Sequence, residues 1–417
     1  MNERLLQFIW QFQYFNFSDL TTTAEEYIQI LHPGQHNSNQ GPDFLFSKIK
    51  IGKTILVGSV ELHLKTSDWK KHQHSFDKNY NNVILHVVWE NDVSDVNHPI
   101  LQLKQRVAKI LLQRYQVLMQ SNSFIACAKS VDKVPHLIWL SWKDRLLSER
   151  LIRKANLNTV YLKKNANHWE EIFWWMLAQN FGLKVNAQSF AAIAKSIPIN
   201  VLYKFKNQPV QLEAILMGQA GLLKKDYKDE YPNLLRKEYN FLKAKFKFAE
   251  VHQAVLFLRM RPSNAPTIRL AQLAMLISQS SFLFSKLKEV KSVDEIKILF
   301  KVIASSYWNN HYYFDKLSAF QKKKLGNATI HSIIINTVAP MLFLYGAYLN
   351  EMKYKRRGIL LLEKLAAEKN SITKGFEMLK IANKNSADSQ ALIELKNEYC
   401  NQKRCLECSI GNSILKS

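Results

Sequence analysis

The pattern of apolar and polar residues differs between the two parts of the chain, and in the N-terminal part it is typical of short β-strands. Short alternating or apolar segments bounded by turn-forming residues predict strands at 44–51 (FLFSKIKI), 54–64 (TILVGSVELHL) and 82–92 (NVILHVVWEND). Gly52 and Lys53 separate the first two strands, a spacing that suits a tight hairpin turn. With a helix expected in the first 30 residues, this pattern predicts an α/β domain over residues 1–125.

From Val134 onward, apolar residues recur three and four positions apart, as they do on one face of an α-helix. This spacing predicts helices at 137–154, 168–182, 189–197, 211–223 and 267–279. Gly and Pro fall mainly between these segments, where helices end. The predicted fold class is therefore α+β, in which the N-terminal α/β domain is followed by a large all-α domain over residues 126–417.

Positive charge is concentrated in the predicted helical domain. The formal net charge is +24, from 58 Lys and Arg against 34 Asp and Glu. Residues 1–127 contain 12 basic and 11 acidic residues, whereas residues 128–417 contain 46 basic and 23 acidic ones. This surplus favours a polyanionic partner, nucleic acid before an anionic membrane surface, although solvated lysine-rich helix faces give the same count.

The sequence predicts a cytoplasmic protein without a membrane partner. Its first residues, MNERLLQFIWQFQYF, contain Glu3 and several Gln, and they lack the uninterrupted apolar run and cleavage site of a secretory signal. The most apolar segment, residues 332–349, contains Asn336, Thr337 and Pro340, which favours a buried core helix over a membrane span.

Four cysteines form a candidate metal site. Cys400, Cys405 and Cys408 lie in YCNQKRCLECSIG, and Cys127 is the only other cysteine. A soft metal in tetrahedral coordination takes four such ligands, so the count predicts a site for zinc or an iron–sulfur cluster. The alternatives are free thiols or disulfides, and a reducing cytoplasm disfavours disulfides. A metal here would join the chain end to the segment near Cys127.

A second candidate site lies on the predicted hairpin. The turn at Gly52 places residue 43 near residue 62, so Asp43 is expected to meet Glu61 with the Leu62 carbonyl between them. Two carboxylates and a carbonyl form a hard oxygen site suited to Mg2+ or Mn2+, which can activate water for attack on a phosphate. The alternative is a plain half-buried hairpin with a polar face.

Strand alternation places His63 and Lys65 on the same face as Glu61, where either could assist. The sequence of Pro42, Asp43 and Glu61 resembles the motif of the PD-(D/E)xK nuclease superfamily, with His63 where that motif has lysine. This resemblance implies a restriction-endonuclease-like α/β domain with metal ligands at Asp43 and Glu61. The one-plus-three cysteine layout is similar to the iron–sulfur staple of helicase-linked and CRISPR-associated exonucleases in that superfamily, although there the lone cysteine precedes the motif.

A further resemblance covers most of the chain. The stretches PGQHNSNQGPDF, GSVELHLKTSDWKKHQH, YNNVILHVVWEND and VPHLIWLSWKDRLLSERL, with the terminal KRCLECSIG, resemble an uncharacterised bacterial domain-of-unknown-function family numbered 2851. No activity accompanies this resemblance.

Histidines offer a rival metal site. Seven of the 12 histidines fall between residues 32 and 98. In HQH at 72–74, His72 and His74 would share a face if the segment is a strand, and with His63 nearby they could bind zinc. His72 could instead complete the nuclease site or contact DNA phosphate. The plain alternative is a set of surface loop histidines, with His86 satisfied in the core.

Arginines in the helical domain are candidate nucleic-acid contacts: Arg145, Arg150, Arg259, Arg261 and Arg269. Trp139 and Trp142, beside the first two, are expected in the core, and salt bridges are the alternative for Arg259 and Arg261.

The function that these features predict is a metal-dependent nuclease, or a nuclease-derived protein, acting on DNA in preference to RNA. The alternatives are a non-catalytic nucleic-acid-binding or assembly protein with a degenerate nuclease core, and a zinc-dependent hydrolase that uses the histidines.

Overall fold

A computed structural model describes residues 1–93, 98–164, 168–257, 260–290 and 292–416. Arg259, a predicted nucleic-acid contact, lies outside these residues. The chain divides into two compact units, residues 1–143 with 394–417 (unit 1) and residues 144–393 (unit 2). Unit 1 contains a mixed sheet with helices and unit 2 is largely helical, so the fold class is α+β.

Unit 1 is built on a six-stranded mixed sheet. Its elements are α1 (Glu3–Gln11), β1 (Ile28–His32), β2 (Gln35–His36), β3 (Phe44–Ile51), β4 (Thr54–Lys65), α2 (Asp68–Lys71), β5 (Val83–Glu90), β6 (Ile100–Gln102), α3 (Lys109–Gln120) and the start of α4 (His136–Lys164). The strand order is β1-β3-β4-β5-β6, with β2 pairing the end of β3. The β3–β4 pair is antiparallel, whereas β4–β5 and β5–β6 are parallel.

The predicted β3–β4 hairpin is present, with one irregularity. Ile51 faces Thr54 across a turn at Gly52, whose φ of 56° is one that glycine adopts without strain. The register shifts between Phe44 and Ser47, where Phe46 has a φ of 59°. This bulge brings Phe44 opposite Val60, so the far end of the hairpin is displaced by one residue from regular pairing.

Both faces of β4 are covered in its second half. Val60 and Leu62 are buried in a core that includes residues of α1, as alternation predicts. Glu61 and His63 are also buried, at 5% and 1% exposure, because the segment between β4 and β5 lies over the other face. A strand predicted to be half-exposed is therefore enclosed where its polar residues lie.

The division into units differs from the predicted boundary at residue 125. Residues 394–417 fold back into unit 1, where α18 (Ser409–Lys416) contacts α3. Tyr14 donates a hydrogen bond to Asn412 across 2.7 Å, and Cys405 and Leu415 belong to the same core as the sheet. The last 24 residues supply apolar surface that this core needs.

Unit 2 consists mainly of helices: the rest of α4, α5 (Trp169–Phe181), α6 (Leu183–Ser196), α7 (Ile199–Lys204), α8 (Pro209–Gln219), α9 (Glu230–Phe246), α10 (Pro266–Gln279), α11 (Leu283–Glu289), α12 (Val293–Leu299), α13 (Asn327–Ile333), α14 (Ala339–Tyr348), α15 (Met352–Lys364), α16 (Ser371–Met378) and most of α17 (Ser386–Glu394). A short hairpin joins β7 (His311–Tyr313) to β8 (Lys316–Leu317).

One helical stretch, Asn327–Tyr348, is long and apolar enough to cross a membrane. Of its most apolar window, 72% is buried inside the protein. This burial supports the expected core helix at residues 332–349.

Candidate metal centre

Glu61 and His63 are the inner residues of the candidate centre. They lie two positions apart on β4, so their side chains leave the strand on the same face. The neighbouring parallel strand β5 places His86 opposite Glu61 in the ladder. All three side chains are buried, so they face one another and not solvent.

A turn after α2 brings two more histidines over this face. His72 directly follows α2 as its C-cap, and His74 begins a three-residue 3-10 helix. Gln73 between them has a φ of 57°, so the segment is not the predicted strand. This left-handed residue reverses the chain and directs both rings towards His63, with His72 exposed and His74 half-buried. The convergence predicted for His72 and His74 therefore arises through a turn.

The four groups bring single nitrogen and oxygen atoms close together. His63 Nε2 lies 3.4 Å from Glu61 Oε1, 3.2 Å from His72 Nδ1 and 3.3 Å from His74 Nε2. His74 Nε2 lies 3.5 Å from Glu61 Oε1. A tetrahedral ion with bonds of about 2.0–2.1 Å holds its ligands about 3.3–3.4 Å apart. The mutual spacing of Glu61 Oε1, His63 Nε2 and His74 Nε2 fits one such ion, and His72 lies beside His63. We call these four residues the Glu–His cluster.

His86 stands behind His63 as an outer partner. Its Nε2 lies 2.9 Å from His63 Nδ1, and a hydrogen bond from His63 Nδ1–H would leave the His63 Nε2 lone pair directed into the cluster. Burial lowers the pKa of His86 to about 3 and holds the pKa of His63 still further below the usual imidazole value. Both rings are therefore neutral at physiological pH, the form that binds a metal.

Asp43 approaches Glu61, but through its backbone. The Asp43 amide donates to Glu61 Oε2 across 3.0 Å. The Asp43 carboxylate accepts hydrogen bonds from the Leu62 amide at 3.1 Å and from Gln7 Nε2 at 2.7 Å. The group of Leu62 that meets Asp43 is thus its amide, and both carboxylate oxygens of Asp43 have partners that tie α1 to β4. A metal-binding role for Asp43 remains a prediction.

Burial shapes the charge of both carboxyl groups. It raises the pKa of Glu61 well above the usual carboxyl range, and the nearby charge of Asp43 raises that pKa further. Burial also raises the pKa of Asp43, although the hydrogen bonds from Leu62 and Gln7 oppose the shift. Without a cation, Glu61 therefore tends to keep its proton, and a cation would favour the carboxylate.

Aromatic rings enclose the cluster. Tyr80 stacks on His74 with ring centroids 3.8 Å apart, and the buried Trp69 contacts His63, His74 and His86. Lys65, in contrast, is exposed at the end of β4. Of the predicted assisting groups, the structure brings His63 to Glu61 and His72 to His63, and no hydrogen bond or ion pair joins the Lys65 ammonium to Glu61 among the described residues. His74 belongs to the rival histidine site that the HQH spacing predicted, and His86 was expected only as a core residue. Tyr80 is the residue that sequence reasoning missed, because no pattern connects it to the histidines.

The four cysteines meet within unit 1, as their number predicts. Cys127, Cys400, Cys405 and Cys408 line one cavity of about 20 Å³. Burial raises the pKa of Cys127 to about 12 and that of Cys405 to about 11, so the thiols hold their protons at neutral pH unless a cation replaces them.

The predicted arginines occupy different environments. Arg269 is buried, and its guanidinium donates to Gln272, Asn264 and Thr329, so it serves the interior of unit 2 and is not presented to a phosphate. Arg145 is exposed and pairs with Glu149, Arg150 is half-buried against Gln390, and Arg261 is exposed. Trp139 and Trp142 are buried, as expected for core residues.

A polar cleft in unit 2 combines basic and aromatic groups that were not predicted. Its volume is about 690 Å³, and its lining includes Lys154, Lys184, Lys195 and Trp175. Amide side chains also line it, and no Asp or Glu is among the described lining residues. Lys195 lies over the Trp175 ring at 5.7 Å. Cations beside an aromatic ring suit a phosphate-bearing ligand.

Comparison with known proteins identifies a family. A family model described as "Protein of unknown function (DUF2851)" matches residues 3–371, and the chain belongs to this family. No curated protein and no solved structure gives a significant match. The family description carries no activity, so the resemblance to PD-(D/E)xK nucleases stays a prediction.

Proposed function

We propose that this member of the DUF2851 family is a metal-dependent phosphodiester hydrolase acting on nucleic acid, with DNA the expected substrate and the cytoplasm the expected location. The observation that carries the proposal is the mutual spacing of Glu61 Oε1, His63 Nε2 and His74 Nε2, which lie 3.3–3.5 Å apart. Mixed imidazole and carboxylate donors favour zinc or manganese over magnesium, which takes oxygen ligands.

The burial of the cluster suggests a division of roles. Glu61, His63 and His74 form a three-ligand set, the number that catalytic zinc sites use while keeping one position open. A metal held there would polarise a phosphate oxygen and lower the pKa of a water molecule. The Asp43 amide fixes one oxygen of Glu61, and His86 fixes the ring of His63. His72, exposed at the rim, is placed to accept a proton from the attacking water or return one to the leaving group.

Charge supports a nucleic-acid substrate. Residues 144–393 contain 39 basic and 19 acidic residues, a surplus that attracts phosphate backbones. The cleft of unit 2 supplies lysines beside Trp175, a pairing suited to phosphates and stacked bases. We therefore propose the lysines of this cleft as nucleic-acid contacts, whereas Arg269, which the sequence predicted as one, is buried.

Incubation of the purified full chain with labelled single- and double-stranded DNA and RNA tests the proposal. We expect cleavage with Zn2+ or Mn2+ that EDTA abolishes. Cleavage supported by Mg2+ alone and insensitive to loss of His74 would move the centre to Asp43 and Glu61. Binding without cleavage under every metal condition would favour the non-catalytic alternative.

Removing a cleft lysine should weaken nucleic-acid binding without altering its sequence preference. For Lys184→Ala, we expect affinity to fall by about 3- to 10-fold and the dependence of log K on log salt to decrease by about one unit, because one phosphate contact is lost. Fluorescence anisotropy across a salt series measures both quantities. Lys353→Ala is the matched control, because this substitution removes the same charge from unit 2 at a lysine that is not among the lining residues of the cleft. Lys353 instead pairs with Glu351 at 3.2 Å. Equal effects of the two changes would indicate that net charge, and not the cleft, governs binding.

A further inference from the structure

The face of β4 that carries Glu61 continues from the Glu–His cluster towards the hairpin turn. Val60 and Leu62 point into the core of unit 1. Ile55 and Val57 lie at even spacings from Glu61, so their side chains leave the strand on the same face as Glu61. The register shifts beside β4 come from extra residues in β3 and β5, so β4 itself alternates without interruption. The cluster therefore occupies one end of a continuous strand face.

One end of this strand face is covered, and the other end is open. Glu61 lies beneath the segment between β4 and β5, whereas Ile55 and Val57 are 54% and 63% exposed. At about 3.3–3.4 Å per residue, Val57 lies about 13 Å from Glu61 along the strand, and Ile55 lies about 20 Å from it. Phe46, at the bulge of the neighbouring strand β3, is exposed as well. Exposed apolar side chains so close to a candidate centre suit an apolar part of its ligand.

Two lysines of β3 lie across from these apolar residues. Lys48 is the partner of Val57 in the antiparallel ladder. Lys50 is the partner of Ile55, and residues paired in this way share one face of the sheet. The two lysines are about 6.7 Å apart along β3, which is about twice the rise per nucleotide in a stacked duplex strand. The sequences of β1, β3 and β4 contain no Asp or Glu except Glu61, so this face combines positive charge with apolar surface.

We propose that the hairpin face, formed by Lys48, Lys50, Ile55 and Val57, binds an extended single strand of nucleic acid that leads to the Glu–His cluster. This inference rests on the proposed function, because the cluster fixes where the strand is cleaved. The lysines bind phosphates, and unpaired bases pack on the apolar side chains.

A double helix meets neither the apolar nor the covered part of this face. Its bases stack on one another and leave mainly phosphates for the protein, so Ile55 and Val57 would have no apolar partner. A duplex is also stiff over about 150 base pairs, whereas a single strand can bend into the covered end where Glu61 lies. The spacing of the two lysines suits successive phosphates of a strand whose bases are unstacked.

Fluorescence anisotropy of the full chain in EDTA, with labelled single-stranded and duplex DNA, tests the apolar contacts without cleavage. Ile55→Thr combined with Val57→Thr keeps side chains that favour a strand but makes them polar. We expect this variant to bind single-stranded DNA about 5- to 10-fold more weakly and duplex DNA less than about 2-fold more weakly. Ile110→Thr with Val117→Thr on α3 is the matched control, because these residues are 52% and 63% exposed. The control should bind both DNAs as the wild type does.

A salt series with the same single-stranded DNA tests the lysines. Lys48→Ala combined with Lys50→Ala should reduce the slope of log K against log salt by about 1.4, because each phosphate contact on a single strand contributes about 0.7. Lys129→Ala with Lys133→Ala is the matched control, since both of these lysines are exposed in unit 1 and lie outside the sheet. This control should leave the slope unchanged.

Three outcomes would overturn the inference: no binding of single-stranded DNA by the wild type, unchanged binding by the variants, or equal losses for single-stranded and duplex DNA. A shift in sedimentation of the Ile55→Thr, Val57→Thr chain would also overturn it, by identifying the hairpin face as a contact between copies of this chain. If that variant does not fold, the lysine variant gives the decision.

The readout in EDTA separates this inference from the proposed hydrolase function. Loss of binding in the variants, without cleavage by the wild type under any metal condition, would refute the hydrolase and leave the hairpin face as a single-strand binding site. Metal-dependent cleavage by the wild type, with unchanged binding in both variants, would refute the hairpin face and leave the hydrolase.

Discussion

Replacing Glu61 by glutamine should abolish metal-dependent cleavage while leaving the fold intact. Glutamine has nearly the same shape, and its amide oxygen can still accept the hydrogen bond from the Asp43 amide. It cannot supply the negative charge that Glu61 Oε1 would offer a cation beside His63 and His74. We expect the rate of cleavage to fall at least about 100-fold, the scale of losing a charged group from a catalytic centre, as measured on labelled DNA with saturating Mn2+.

Thermal unfolding in EDTA separates loss of chemistry from loss of structure. Because burial raises the pKa of Glu61 in the folded state, the folded protein binds a proton that the unfolded chain releases at neutral pH. The wild-type side chain therefore contributes stability at low pH that is lost as pH rises towards its folded pKa. Glutamine does not ionise, so the variant lacks this pH-dependent decrease in stability. The metal-free variant should therefore unfold at the same temperature as the wild type or slightly above it. Undiminished cleavage by a folded Glu61→Gln chain would exclude the Glu–His cluster as the centre.

The β3–β4 hairpin shows which structural features the alternation of apolar and polar residues could predict and which it could not. Period-two alternation and the Gly52 turn predict β3, β4 and the shared face of Glu61 and His63, because these depend on local geometry. The bulge at Phe46 leaves no mark on the alternation, so the one-residue shift beyond it was not predictable. Burial of Glu61 and His63 depends on the segment between β4 and β5, which has no regular period.

Some long-range contacts were also predictable from the sequence, whereas others were not. The return of the C-terminal cysteines to Cys127 was predictable, because four cysteines, three of them closely spaced, predicted one shared metal site. The burial of Arg269 was not, because the single arginine of α10 faces partners on other segments, including Thr329, 60 residues later. The cleft in unit 2 was not predictable from net charge, because side chains from several helices form it.

Although His72 and His74 lie two residues apart, we expect loss of His74 to weaken metal binding and loss of His72 to lower the cleavage rate. His74 is half-buried, with its Nε2 near both Glu61 Oε1 and His63 Nε2, so His74→Ala should weaken Zn2+ binding by at least about 100-fold in calorimetric titration. His72 is exposed, so His72→Ala should keep most of the metal but lower the cleavage rate by about 100-fold. His98→Ala is the control, because His98 also packs on Trp69, at 4.7 Å, but lies outside the cluster.

Acid release of the metal follows from the same burial. Because burial lowers the pKa of His63 and His74, both rings take up a proton at a lower pH than an ordinary imidazole does. Protons therefore compete with Zn2+ mainly at Glu61, whose raised pKa means that the ion must displace a proton there. The affinity for Zn2+ should fall as pH falls, and His98→Ala should show the same fall. Equal metal loss from His72→Ala and His74→Ala would mean that all four groups bind the ion, and that proton transfer belongs to a residue outside the cluster.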